Sequence, residues 1–160
     1  MNKQVFSKIS IGTIIVLIAS AVTVTSFFLE WTSIVLASGG GVGTVLFTNS
    51  GFEVAREGIS DKYSSLSWIY FLTPVMALSC FVIGVLSLKH RSSCLHILQI
   101  ILSVLGFSPF ALMAIEFKIV NQLPVWLSPL ISVPRYGIWL SILGLCGIIA
   151  GSTLNLRQGK

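Results

Sequence analysis

Few residues in this chain are of a type that could do chemistry, and each has an ordinary alternative. Glu116 is the one acid inside an apolar run, and a carboxylate in hydrocarbon is a candidate proton relay. It lies about 31 Å along a helix from Leu95 at about 1.5 Å per residue. That places it at a membrane boundary, near Lys118 or Arg135, where an interfacial carboxylate is the simpler reading. His90 and His96 flank Cys94 and could hold haem, a pigment or a metal. Two histidines six apart with one cysteine between them match no recognised ligand spacing. Met76 and Met113 could be soft ligands, but methionine in an apolar run is ordinary packing. No nucleophile, base and orienting group occur together, so no enzyme activity and no catalytic residue is expected. No cofactor is expected either, with haem, pigment or lipid left open.

The glycine run "GGGVG" at 39–43 invites comparison with a phosphate-binding loop. No Gly-Lys-Ser or Gly-Lys-Thr follows it, and it opens no helix, so the phosphate reading fails. Cys80, Cys94 and Cys146 fall in or beside apolar runs, which implies no disulfide framework.

The pattern that stands out is in "YGIWLSILGLCGIIAGS". Gly137, Gly144 and Gly151 recur every seven residues, with Ser141 and Gly147 on or beside the same stripe. Small residues along one helix face let a second helix approach closely, which drives association where lipid is as apolar as leucine. Such a groove either seats a partner protein or packs this helix onto the chain's own first or second span. Cys80 and Gly84, four apart, offer an internal match in the second span.

The elements that must position these residues follow from composition. Hydrophobic residues make up 54% of the 160 and charged ones 9%, with a mean hydropathy of +0.94. A soluble domain of this size could not cover itself with so few charges. Four runs, about 9–29, 68–88, 95–117 and 136–156, are long enough to cross a bilayer as helices, which takes about 20 apolar residues. The expected fold is an all-α integral membrane protein, a single domain of four transmembrane helices over 1–160.

Charge sets the expected orientation. Lys3, Lys8, Lys89, Arg91, Arg157 and Lys160 lie at one side without an acid among them, while the acids Glu30, Glu53, Glu57, Asp61 and Glu116 lie at the other. Basic residues in short loops are held in the cytoplasm. The chain is therefore expected in the plasma (inner) membrane with both termini on the cytoplasmic side and loops 30–67 and 118–135 outside. The net charge of +5 is read as topology, not as a nucleic-acid patch, because the bases are scattered singly or in pairs. The first run, with Lys3 and Lys8 before it and "ASA" at 19–21, has the outline of a signal peptide. Its apolar stretch continues through Leu29, longer than a signal core, which favours a span.

In the first outer loop, "TSIVLAS" and "GTVLFTN" are β-branched runs that predict a small hairpin. Asn49 or Ser50 then caps a short helix over 52–57 with an acid in its first turn. The second outer loop carries Pro124, Pro129 and Pro134 among apolar residues. Proline at that frequency forbids a long helix. The loop is expected to lie in the interface, a re-entrant pore loop being the alternative. Trp31, Trp68, Trp126 and Tyr136 are expected to form an aromatic belt at the outer membrane boundary.

A first helix, a Trp at its outer exit, an outer β-element and three further helices resemble in outline the claudin-like four-helix membrane proteins. The resemblance covers the order of elements and Trp31. The claudin signature also has a Gly-Leu-Trp and two cysteines in that loop, whereas this chain has no cysteine between residues 1 and 79. It therefore implies architecture and lends no functional residue. The expected role is binding: an accessory or scaffolding subunit that partners lipids and other membrane proteins, or itself. A small oligomeric transporter or channel is the alternative.

Overall fold

The computed structural model of the chain describes residues 10–36, 45–57, 67–89, 92–121 and 130–158. Nine elements follow in order: α1 (Ile11–Ser26), β1 (Glu30–Leu36), β2 (Val45–Ser50), α2 (Gly51–Glu57), α3 (Leu72–Lys89), α4 (Ser93–Gly106), α5 (Ser108–Asn121), β3 (Leu130–Pro134) and α6 (Tyr136–Gln158). Three helical stretches, Ser67–Lys89, Ser93–Ile115 and Tyr136–Gln158, are long and apolar enough to cross a membrane by length and composition. The helix α1 is also apolar but has 16 residues, a rise of about 24 Å.

The helices pack as neighbours around a common core: α1 against α6 and α3, and α4 against α3 and α6. Val16, Ala19, Ala77, Cys80, Leu145 and Ile148 form the core between them. Their outward faces stay apolar, with Ile18, Leu78, Val82, Ile101, Val104 and Leu143 all exposed. Apolar residues inside and outside are what a helical body surrounded by lipid requires.

One end of this body is closed by a three-stranded antiparallel sheet in the order β2-β1-β3. The hairpin expected from the two β-branched runs is present, with Ser33 opposite Thr48 and Val35 opposite Val45. The glycine run that would turn it lies outside the described residues. The short helix is present as well. Glu53 accepts a hydrogen bond from the Ser50 amide at 2.6 Å, and the Glu53 amide donates back to the Ser50 hydroxyl at 3.3 Å. This reciprocal pair satisfies two first-turn donors at once.

The second outer loop departs from expectation. Residues 118–121 extend α5, and Leu130–Pro134 is a strand paired with β1, Thr32 opposite Pro134 and Leu36 opposite Leu130. Because β3 is an edge strand ending in proline, the missing N–H interrupts no inner ladder. Pro124 and Pro129 lie outside the described residues.

The stretch expected as a single third span is divided at Phe107. Pro109 has no N–H for the carbonyl four residues back, that of Leu105. The Ser108 hydroxyl donates to that oxygen at 2.8 Å, and Thr73 donates to the Gly106 carbonyl at 3.1 Å. Both freed acceptors thereby keep a side-chain partner, the Gly106 carbonyl in a buried bond and the Leu105 carbonyl in an exposed one, as a break in an apolar helix requires.

Candidate functional site

The small-residue stripe of α6 is occupied by the chain's own first helix. A Cβ on Gly151 would stand 2.6 Å from the Gly12 carbonyl oxygen, one on Gly147 2.9 Å from the Ala19 methyl, and one on Gly144 2.9 Å from the Ala19 carbonyl oxygen. Ser141 and Ser26 share a buried hydrogen bond at 2.6 Å. At the sheet end, a Cβ on Gly137 would lie 2.6 Å from the Glu30 carbonyl oxygen. All five residues of the stripe thus seat α1 or the start of β1. The match expected with Cys80 and Gly84 is not made: Cys80 bonds toward α4, and Gly84 faces Leu17 and Val16 of α1.

The aromatic belt is likewise redistributed. Trp68 and Tyr136 are 59% and 50% exposed, but Trp31 is fully buried. Its indole N–H donates to the Ser26 carbonyl at 2.8 Å, and its ring packs against Phe27 and Phe110 at centroid distances of 5.6 and 5.4 Å. Two glycines make room for it: a Cβ on Gly51 would be 2.6 Å from the indole, and one on Gly137 2.7 Å from it. An aromatic that fills a pocket and satisfies its polar atom inside protein is a core residue. Trp31 therefore pins the sheet to the helical body instead of presenting its ring to headgroups. Trp126 lies outside the described residues.

At the end opposite the sheet, the packing turns polar. Gln99 of α4 is 1% exposed, and its amide nitrogen donates to the Cys80 carbonyl at 3.2 Å. A carbonyl can only accept, so the amide cannot be reversed and its oxygen must face the other way. That oxygen accepts from the Ser152 hydroxyl at 3.0 Å and lies 3.2 Å from His96 Nδ1. His96 Nδ1 must carry the hydrogen, and in the neutral imidazole Nε2 is then a bare acceptor. Ser103, one turn on, donates to the Gln99 carbonyl at 2.8 Å.

Beyond this network lies a cavity of about 220 Å³. The start of α1 contributes Ser10 and Thr13, and the start of α4 contributes Ser92, Ser93 and His96. The ends of α3 and α6 complete it with Ser87, Asn155 and Gln158. Thr13, Ser87, His96 and Asn155 are each more than nine-tenths buried. Asn155 ties the helices together, donating to Thr13 at 3.2 Å and accepting from Ser10 at 2.5 Å.

This site was missed in the sequence, although a signal was there. His96, Gln99 and Ser103 recur at intervals of three and four, a polar face on an otherwise apolar helix. His90 lies outside the described residues, and among the described residues no group of three His, Cys, Asp or Glu side chains could hold a metal ion. Cys80 is buried, whereas Cys94 and Cys146 are exposed, and all three are free thiols. No family model, no curated protein and no solved structure matches this chain.

Proposed function

We propose that this chain is a four-span integral membrane protein with both termini on the cytoplasmic side, acting as an accessory or scaffolding subunit that binds another membrane protein. Four spans are supported by the three long apolar helices together with α1, whose apolar sequence continues through Leu29. The orientation is supported by Lys89 and Arg157 in the last turns of α3 and α6, opposite the sheet, by the six bases without an acid in the sequence segments that flank the spans on that side, and by the exclusion of such residues from translocated loops.

The observation that carries the binding role is the sheet end. The outer edge of β2 is paired with no strand among the described residues, and its Val45 and Phe47 are 44% and 66% exposed. Beside it, Phe28 and Phe52 stack at 6.3 Å and are themselves exposed. An open strand edge next to exposed aromatics is a template for a partner. The glycine stripe gives this reading no support, being filled by α1.

The test is co-purification of the tagged full chain in mild detergent. A second membrane protein should accompany the wild type and be lost from Phe47→Glu, while the unfolding of the isolated chain is unchanged. A wild-type chain that purifies alone would end the accessory reading. A small transporter is favoured by one feature, the divided helix at Phe107 beside a buried polar network. Solute flux in proteoliposomes that vanishes in Gln99→Leu would support it.

A further inference from the structure

We propose that the cavity between the starts of α1 and α4 and the ends of α3 and α6 binds a neutral, polyhydroxylated group, either a free small polyol or the sugar headgroup of a lipid. The inference rests on the donors and acceptors left over after the chain has satisfied itself. Thr13 accepts from Asn155, which leaves its own hydrogen free to donate. Ser92 caps its helix with no side-chain hydrogen bond and, like Ser93, offers a hydroxyl at the exposed rim. On the accepting side, Ser87 has given its hydrogen to the Gly84 carbonyl at 2.7 Å, so only its lone pairs remain. His96, with Nδ1 committed to Gln99, retains the bare acceptor Nε2.

This mixture selects among ligand chemistries. A phosphate or carboxylate only accepts, and would set its oxygens against the lone pairs of Ser87 and His96. An ammonium only donates and would leave Thr13 without an acceptor. A hydroxyl group does both, and several on one small molecule match a lining that offers donors and acceptors together. Among the described residues, no lining side chain is acidic or basic apart from the histidine. Two helices begin and two end at this cavity, so their dipoles offset one another and favour neither sign of charge. The volume of about 220 Å³ equals about seven waters at about 30 Å³ each and lies below the roughly 300 Å³ at which drug-sized sites begin. It suits a molecule of glycerol to inositol size.

The experiment uses the full chain in detergent and in nanodiscs. Native mass spectrometry and thermal unfolding are followed during titration with glycerol, myo-inositol and glucose. Parallel nanodiscs contain phosphatidylcholine alone or with monoglucosyl diacylglycerol, and inorganic phosphate and tetramethylammonium serve as charged probes. The expected result is a saturable adduct with one of the neutral probes and none with the charged ones. A free polyol that binds in detergent identifies a soluble ligand, whereas retention of the glucosyl lipid alone identifies a headgroup. Ser93→Val, which removes a rim hydroxyl that holds nothing else together, should weaken binding about three- to ten-fold at unchanged unfolding temperature. His96→Phe should abolish it. Absence of saturable binding by every neutral probe, equal affinity in wild type and Ser93→Val, or preferential binding of phosphate or tetramethylammonium would overturn the proposal.

Discussion

Replacing Gly144 by alanine tests the helix contact on which the whole body depends. The added Cβ would lie 2.9 Å from the Ala19 carbonyl oxygen and would also collide with the Thr23 hydroxyl. The Thr23 hydroxyl is the nearest atom and belongs to a side chain, but ordinary contact with the Ala19 carbonyl begins about half an ångström farther out, and that oxygen is backbone, so α1 itself must retreat. Alanine improves helix propensity by about 1 kcal/mol. Overpacking of this kind costs about 1–3 kcal/mol. Displacing Thr23 also endangers its 2.9 Å hydrogen bond to Ala19, worth about 1 kcal/mol. The net expectation is a loss of about 1–3 kcal/mol, and several more for Gly144→Leu. Leu143→Ala next to it, on a side chain 66% exposed, should stay within about 0.5 kcal/mol. The assay is equilibrium unfolding of the isolated chain, by SDS titration in mild-detergent micelles with tryptophan fluorescence as the signal. Wild-type stability in Gly144→Ala would refute the reasoning, and more so if co-purification of a partner were lost instead. The stripe would then face another protein.

Among single-tryptophan variants, bromolipid should quench Trp68 and Trp139, 59% and 58% exposed, and leave Trp31, at 0%, nearly untouched; strong quenching of Trp31 would contradict its place in the core. Gln99→Leu should lower stability by about 2 kcal/mol, because Ser152, His96 and the Cys80 carbonyl all lose a partner, and an unchanged unfolding curve would refute the network. Ser50→Ala should cost about 1 kcal/mol, read in the same titration. The Ser50 amide and hydroxyl hold the Glu53 carboxyl below its usual range, so its stabilising contribution is complete above pH about 4.3. It should be lost as the pH falls through Glu53's lower folded value, and acid strengthening of α2 would reverse that sign.

What could be read in the sequence was whatever depends on local pattern. The apolar runs located the long helices because hydropathy over about 20 residues is insensitive to partners. "TSIVLAS", "GTVLFTN" and the Ser50–Glu53 spacing yielded the hairpin and the cap for the same reason. Trp31 was misjudged because a tryptophan at the end of an apolar run looks alike facing lipid or protein. The glycines that admit it, Gly51 and Gly137, lie 20 and 106 residues away. The strand β3 was obscured by Pro134 within it and by Pro124 and Pro129 before it in the sequence, since proline excludes an inner strand but permits an edge. The polar network escaped because its members are spread over α3, α4 and α6, and only His96, Gln99 and Ser103 share a helix. The stripe was visible, but whether its groove held α1 or another protein was a question of tertiary packing.

The central claim, that the chain crosses the membrane with its sheet outside and its polar cavity at the cytoplasmic end, is tested most directly by cysteine accessibility. A membrane-impermeant thiol reagent is applied to intact cells expressing single-cysteine variants of a chain whose Cys80, Cys94 and Cys146 are replaced by serine. Labelling from outside should reach cysteines placed at Glu53 and Glu57, and miss those placed at Lys89 and Arg157 until the membrane is opened. The reverse pattern would invert the orientation, and equal labelling of all four positions in intact cells would contradict the membrane-spanning account.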